Sequence, residues 1–244
     1  MKKHLNAVQA FLQQEQPDVV CMQEVYGEDL QTFAEKLGMD SSFGQMILIG
    51  RGDPMEPPMV PFGIGILSRF PLLSVQCRYY KGDEKNARQQ AFHNDPDDFY
   101  RLFLCGTVRK GESEFVLGTT HFTWNADGQP SDAQREDVER LLDALGEFPE
   151  VICCGDFNAP REGEIFQAIA ASYKDNIPAR YTTSIDIKLH RSGEILRGKP
   201  LLVDGLFTTP QYQCKNVRLQ DGVSDHMAVL AEISRIEGIA KREK

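Results

Sequence analysis

The sequence has no apolar run that approaches the roughly 20 residues of a membrane-spanning helix. Met1 to Lys3 resemble the basic start of a signal peptide, but the amphipathic, glutamine-rich stretch from His4 to Gln16 is no secretory core. The sequence also has no internal repeat and no low-complexity linker. These absences argue against a membrane-spanning, secreted or repeat protein, and they predict a cytoplasmic location.

Positive charge is scarce as well. The chain has 27 Lys and Arg against 36 Asp and Glu, a formal net charge of −9. Tight, sequence-independent coating of nucleic acid needs a strong cationic field, so this class of function is disfavoured. A polyanionic substrate stays compatible with the composition, because a bound divalent cation can invert the local field. The 6 cysteines form no CxxC pair, which predicts free thiols in a reducing compartment.

Helical and strand patterns alternate along the 244 residues. Apolar spacing predicts helices over residues 2–14, 30–37 and 165–171, and over a segment that opens with a Ser131/Gln134 capping box. Short apolar runs predict strands at 19–22, 46–49, 64–67, 72–80, 100–108, 114–120, 151–154, 201–207, 214–219 and 227–233. Residues 51–61, 81–98 and 172–200 lack periodicity and are predicted to be loops.

Hairpin signals such as Lys110-Gly111 argue against a strictly parallel sheet. We therefore predict an α/β fold of the α+β type, a four-layer sandwich of two packed mixed β-sheets with helices on the outer faces. Residues 1–244 are predicted to form a single domain, and the tail from about residue 235 to 244 is predicted to fray.

Four acidic residues stand at the edges of apolar strands: Glu24, Asp156, Asp204 and Asp225. Each alone would more often cap a turn or pair with a surface lysine. Four together, on loops held by a rigid core, indicate a site. Their carboxylate oxygens suit a hard cation such as Mg²⁺ or Mn²⁺.

Two compact polar motifs contain some of these acids. In Gly155-Asp156-Phe157-Asn158 a tight loop can point Asp156 and Asn158 the same way, one to accept a proton and the other to donate to a phosphoryl oxygen. The alternative is an ordinary turn. In Ser224-Asp225-His226 a carboxylate can orient His226, and the alternative is a surface turn.

The other histidines give weaker signals. His121 ends a predicted strand, where a lone histidine is more often structural than catalytic. His4, His93 and His190 have no comparable context and are assigned no role.

Six strings together resemble the endonuclease/exonuclease/phosphatase superfamily of metal-dependent phosphoesterases. They are PDVVCMQEV, FGIGILSRFPL, GTTHF, GDFN, VDGLF and VSDHMAV, and the resemblance runs from about Pro17 to Ile233. The resemblance implies a two-sheet sandwich with the site at one end of the sheets. It also implies a hydrolase of phosphate esters that uses Mg²⁺ or Mn²⁺ and an activated water.

The resemblance implies a catalytic role for five residues. Asp156 matches the residue that polarises the attacking water, and Asn158 matches one that holds the phosphate. His226 matches the phosphate-side histidine, and Asp204 matches the carboxylate that orients it. His121 matches a second histidine of the deoxyribonuclease-like and sphingomyelinase-like branches, which can assist the leaving group. The abasic-site endonuclease branch has Tyr there, so His121 argues mildly against that branch.

The resemblance also implies a metal site, with one departure. Glu24 matches the principal metal ligand, and Asp225 lies near a second metal position. The family opens with a strand that ends near an Asn, whereas Met1 here already lies in the following helix. This strand and its Asn are therefore expected to be missing, through either a late start or a natural truncation. The alternative function is a catalytically impaired pseudoenzyme that acts as a binding module.

The substrate class is left open by the residues. Nucleic acid, a nucleotide ester, a phospholipid head group and an inositol phosphate all fit the chemistry, and no protein partner is indicated. The stretch from Lys174 to Lys199 has six basic and three acidic residues, a local excess of +3. It is either a solvated loop or a rim that binds anionic substrate through Arg191 and Arg197.

Overall fold

Local sequence signals set the ends of the helices in the computed structural model, which describes residues 4–125, 129–236 and 238. The helices there are α1 (Leu5–Glu15), α2 (Gly27–Leu37), α3 (Glu84–Ala87), α4 (Asp132–Gly146), α5 (Glu164–Ala170) and α6 (Gly193–Leu196). Gly38 ends α2 in the left-handed conformation that glycine tolerates best. Ser131 and Gln134 form the predicted capping box of α4.

The strands divide into a six-stranded sheet and a second, smaller layer. They are β1 (Val19–Tyr26), β2 (Asp40–Gly50), β3 (Met59–Ser68), β4 (Leu72–Lys81), β5 (Arg101–Lys110), β6 (Ser113–His121), β7 (Ile152–Asp156), β8 (Lys174–Asp175), β9 (Asp204–Thr208), β10 (Tyr212–Gln220) and β11 (Ala228–Arg235). The large sheet has the order β4-β5-β6-β7-β9-β8. All its neighbours are antiparallel except β6 and β7, which are parallel.

The second layer consists of two antiparallel pieces. One is the three-stranded sheet β1-β3-β2, and the other is the hairpin β10-β11. Among the described residues, β1 pairs only with β3, and β11 pairs only with β10. Both pieces pack on one apolar core with the large sheet, through Cys21 of β1 and Val229 of β11 among others.

Alternation along β5 shows how the large sheet is buried on both faces. Phe103 points into the core beneath α4 and α5, whereas Leu102 and Leu104 point into the core between the sheets. The helices α1 and α2 cover the outer face of the three-stranded sheet. Helix, sheet, sheet and helix thus form four layers, and the predicted sandwich is confirmed.

Several helix and strand boundaries in the structure differ from the predicted ones. Strand β1 continues through Glu24 to Tyr26, and β3 begins at Met59 inside the predicted loop 51–61. The predicted loop 81–98 contains α3, whose Ala87 is buried, and a 3₁₀ turn at Pro96–Asp98. The predicted irregular segment 172–200 contains β8 and α6.

The predicted frayed tail falls mostly on residues 237 and 239–244, which lie outside the described residues. In the part of the chain that is described, no helix is both long and apolar enough to cross a membrane.

Gly155 gives a test of how tightly β6 and β7 are joined. Its φ is +147°, and a Cβ there would collide with the Thr120 carbonyl oxygen. We expect Gly155→Ala to lower the free energy of unfolding by about 2–4 kcal/mol, the scale of strain plus a backbone shift. Gly111 has φ +61° but open space around it, so Gly111→Ala should lose only about 1–2 kcal/mol. Urea unfolding measures both, and equal losses would contradict the close approach.

Candidate active site

Strand register aligns three polar side chains at one end of three neighbouring strands in the large sheet. The parallel pairing of β6 and β7 places His121 opposite Asp156, and the antiparallel pairing of β7 and β9 places Asp156 opposite Asp204. All three residues are buried. We call His121, Asp156 and Asp204 the strand-end row. The sequence predicted each of them separately, and the sheet register brings them together.

His226 joins the row from the loop before β11. Its Nδ1 lies 2.8 Å from Asp204 Oδ2, within hydrogen-bond distance. Burial, the largest single effect, would lower the pKa of His226, but the charges of Asp204 and Asp156 outweigh it and raise the pKa to about 10. The ring is therefore protonated at neutral pH, and Nδ1–H donates to Asp204. Asp204 and His226 are therefore in direct contact, and the orienting role of Asp204 is still a prediction.

Asp156 is a crowded carboxylate. Its Oδ1 accepts the backbone N–H of Asn158 at 2.8 Å, and its Oδ2 lies 3.5 Å from His121 Nε2. Burial raises the pKa of Asp156, His226 opposes this rise, and the negative charge of Asp204 adds to it. The rise in the pKa of Asp156 therefore reflects burial first and the neighbouring carboxylate of Asp204 second.

Asn158 has a partly internal role. It adopts a left-handed φ of +48°, and its Nδ2 donates to the Phe122 carbonyl at 2.8 Å. That bond holds the turn after β7 against the end of β6. Among the described residues, no side-chain bond of Asn158 other than this one is seen, and its predicted contact with phosphate is still a prediction.

Glu24 reaches the site from the other sheet. It sits in a β-bulge of β1, where the register shifts between Met22 and Val25, with a left-handed φ of +52°. The side chain is 58% exposed, and Oε1 lies 4.0 Å from His121 Nε2. The neighbouring Gln23 donates to Thr119 Oγ1 of β6 at 2.7 Å, which ties β1 to the large sheet. The bulge thus points a carboxylate towards the strand-end row.

His121 lies between the two sheets' carboxylates. Burial is the main reason that the pKa of His121 lies well below its ordinary value, and the positive charges of Arg101 and His226 add to this. Its Nδ1 is buried and has no hydrogen-bond partner among the described residues. A neutral imidazole therefore faces Glu24 and Asp156.

The segment from Lys174 to Lys199 supplies a histidine to which the sequence gave no role. His190 lies next to His226, with ring centroids 6.5 Å apart, and its Nδ1 accepts the Ser192 N–H at 3.0 Å. The segment docks through Asp186, whose N–H donates to the Asp225 carbonyl at 2.9 Å and whose Oδ2 accepts the Gly222 N–H at 2.7 Å. No local pattern marks His190, because a long-range contact alone brings it here.

The predicted substrate-rim arginines are both exposed. Arg197 forms an ion pair with Glu194 at 2.6 Å, one turn away on the same segment. Arg191 is the direct chain neighbour of His190. Their contact with substrate is still a prediction, and the ion pair leaves Arg191 the better placed of the two.

The side chains present fit a hard divalent cation. The ligand atoms of Asp156, Asp204 and His226 lie within 4.8 Å of one another. Because protonated His226 donates to Asp204, the two carboxylates are the ligands that this group offers. Glu24 and Asp225, the two predicted ligands, are not part of this group of described residues. The fit rests on carboxylate oxygens from both sheets and on the raised pKa of Asp156, which a nearby cation would relieve.

Comparisons with known proteins agree with the geometry. A sequence model described as the Endonuclease/Exonuclease/phosphatase family matches residues 1–226. No curated protein matches the sequence.

Solved structures share the fold at low identity. A Beutenbergia cavernae endonuclease/exonuclease/phosphatase has a TM-score of 0.73 and 18% identity over 95% of this chain and 66% of its own. The human nocturnin catalytic domain with bound sulfate has a TM-score of 0.68 and 17% identity over 97% and 87%. The Bacteroides thetaiotaomicron mannosyl-6-phosphatase has a TM-score of 0.65 and 15% identity over 96% and 91%.

The His226–Asp204 pair makes stability depend on pH. The folded pKa of His226, about 10, exceeds the ordinary value of about 6.5. Its stabilisation is therefore complete below about pH 6.5 and is lost as the pH rises towards about 10. We expect the wild-type free energy of unfolding to fall by roughly 2–4 kcal/mol over this interval.

Urea unfolding at several pH values measures that slope. His226→Gln should flatten it, and the exposed His93→Gln is the matched control that should keep it. A slope that survives in His226→Gln would assign the pH dependence to other groups.

Proposed function

This chain belongs to the endonuclease/exonuclease/phosphatase family, and from that premise we propose that it hydrolyses phosphate esters by in-line attack of an activated water. The observation that carries the proposal is the strand-end row together with the 2.8 Å contact between His226 and Asp204. A carboxylate positioned to accept a proton and a protonated histidine positioned to donate one lie side by side. Water attack on a phosphoryl group requires these two functions.

Each member of the row has a proposed task. Asp156 accepts a proton from the attacking water, because its Oδ2 faces the site while its Oδ1 is held by Asn158 N–H. Asp204 holds Nδ1 of His226, so that Nε2–H is free to donate to a phosphoryl oxygen. His121 is neutral and close to Asp156, where it can assist the leaving group.

A divalent cation completes the proposal. Glu24 would hold Mg²⁺ or Mn²⁺ at the mouth of the site, with Asp225 near a second position. When bound, the cation would offset the negative charge that develops on the phosphoryl oxygens. The residues of the chain orient the substrate and move the protons.

The substrate is proposed only as a phosphate ester, either nucleic acid or a small phosphorylated molecule. Two related structures support anion binding on this fold, one described with a bound sulfate and one described as a mannosyl-6-phosphatase. His190 and Arg191 would line the side of the candidate active site next to His226. The cytoplasmic location likewise stays a prediction.

Removal of either proton-transfer group should slow turnover while the fold is kept. We expect Asp156→Asn and His226→Gln each to lower kcat for bis(p-nitrophenyl) phosphate or p-nitrophenyl phosphate by about 10²-fold or more. Asp204→Asn should resemble the His226 variant, because a misoriented imidazole is a poor donor. Asp132→Asn, at an exposed helix start, is the control. Near-normal rates in either of the first two variants would remove that residue from the mechanism.

Glu24→Gln should weaken divalent-cation binding without unfolding the chain, because the side chain is exposed and a neutral amide is a poorer ligand. Calorimetric titration with Mn²⁺ should show a loss of about tenfold or more in affinity. Glu28→Gln, exposed at the start of α2, is the matched control. Equal Mn²⁺ affinity in Glu24→Gln and wild type would exclude Glu24 as a ligand.

A further inference from the structure

Arg101 is a buried cation directly behind the candidate active site. It is the first residue of β5 and is 3% exposed. Its Nη1 donates to the His121 carbonyl oxygen at 3.1 Å, which ties it to the strand-end row. Its Nε is buried and has no hydrogen-bond partner among the described residues.

The guanidinium of Arg101 also has no ion-pair partner. No carboxylate in the described part of the chain lies within 4.0 Å of it, and its close ring neighbour is Phe99, at 5.3 Å from the ring centroid. Three partly buried arginines are each paired with a carboxylate, Arg51 with Asp29, Arg161 with Asp175 and Arg235 with Glu150. An unpaired buried charge is strongly destabilising, so an apolar side chain would serve the fold better here.

The charged groups that act on Arg101 across a longer distance are Tyr80, Asp156, Glu24 and Asp137, in decreasing order, and two of them belong to the site. Asp156 and Glu24 both contribute to its electrostatic environment, although neither touches it. The guanidinium therefore lies beneath the carboxylates without being neutralised by any single one of them. Its positive charge therefore acts on several acidic groups at once, including Asp156 and Glu24 of the site.

We propose that Arg101 is a positioning residue that provides a fixed positive charge beneath the site, which lets a phosphoryl anion bind among carboxylates. The inference rests on the proposed function and names a residue that the proposed proton transfers do not use. Arg101 touches no reacting atom. It acts through the His121 backbone, which it holds in place, and through its charge.

This role predicts effects of opposite sign on two ligands. A fixed positive charge repels a divalent cation and attracts a phosphate anion, so its loss should strengthen cation binding and weaken anion binding. A purely structural role predicts something different. Collapse of the region behind His121 would disturb the site and weaken both ligands together.

The experiment measures both affinities by calorimetry in Arg101→Met, which keeps the length and apolar character of the side chain. Mn²⁺ alone should bind about three- to tenfold more tightly than to wild type, and inorganic phosphate at saturating Mg²⁺ should bind about tenfold more weakly. Arg109→Met is the matched control, because Arg109 lies on the same strand at its far, exposed end and carries the same charge. It should leave both affinities unchanged.

Three results would overturn the inference: weaker binding of both ligands, no change in either, or an equal change in Arg109→Met. If Arg101→Met does not fold, Arg101→Lys decides, since it keeps the charge. Phosphate affinity within about threefold of wild type supports the inference, and a tenfold loss in folded Arg101→Lys overturns it. Wild-type protein that binds neither Mn²⁺ nor phosphate would instead contradict the proposed function, so the two failures are distinguishable.

Discussion

The parallel pairing of β6 with β7 aligns His121 with Asp156, and the antiparallel pairing of β7 with β9 adds Asp204 to the same row. This alignment needs the close approach of Gly155 to the Thr120 backbone, where no side chain would fit. The sheet register thus positions the side chains of the site, a task that a binding loop performs in other proteins. Everything else in the site, including the turn at Asn158 and the bulge at Glu24, is placed relative to this row.

The energetic consequence of this alignment is that like charges lie close together at one end of the sheet. Asp156 and Asp204 lie on neighbouring strands, and burial raises the pKa of Asp156. Two cations moderate this repulsion in different ways. His226 forms a direct hydrogen bond to Asp204, whereas the guanidinium of Arg101 donates to the His121 carbonyl and has no ion pair within the described part of the chain. The arrangement is less stable than an apolar one would be, which is typical of a site that binds charged ligands.

The sequence was sufficient for the layers of the fold and for most of the strand-end residues. Apolar runs bordered by Asp or His identify Asp156, Asp204 and His121: Asp156 and His121 are the last residues of β7 and β6, and Asp204 is the first residue of β9. The bulge at Glu24 was not predictable, since the strand pattern continues through it to Tyr26. His190 was not predictable either, because it depends on how residues 184–192 dock against the loop before β11. Arg101 could be suspected only from a charge at the start of the apolar run RLFLC.

The division of the second layer has a consequence for local opening. Glu24 arrives on the three-stranded piece and His226 at the start of the hairpin β10-β11, and among the described residues no backbone hydrogen bond joins these pieces. Amide protons that point outwards from the open edges of β1 and β11 therefore have no partner strand to slow their exchange with solvent. Those of β6 and β7 lie inside the six-stranded sheet. The site is thus assembled from the six-stranded sheet and two pieces of the second layer, which Arg218 and Glu15 join through a side-chain ion pair. Hydrogen exchange would rank the three parts by their free energies of opening.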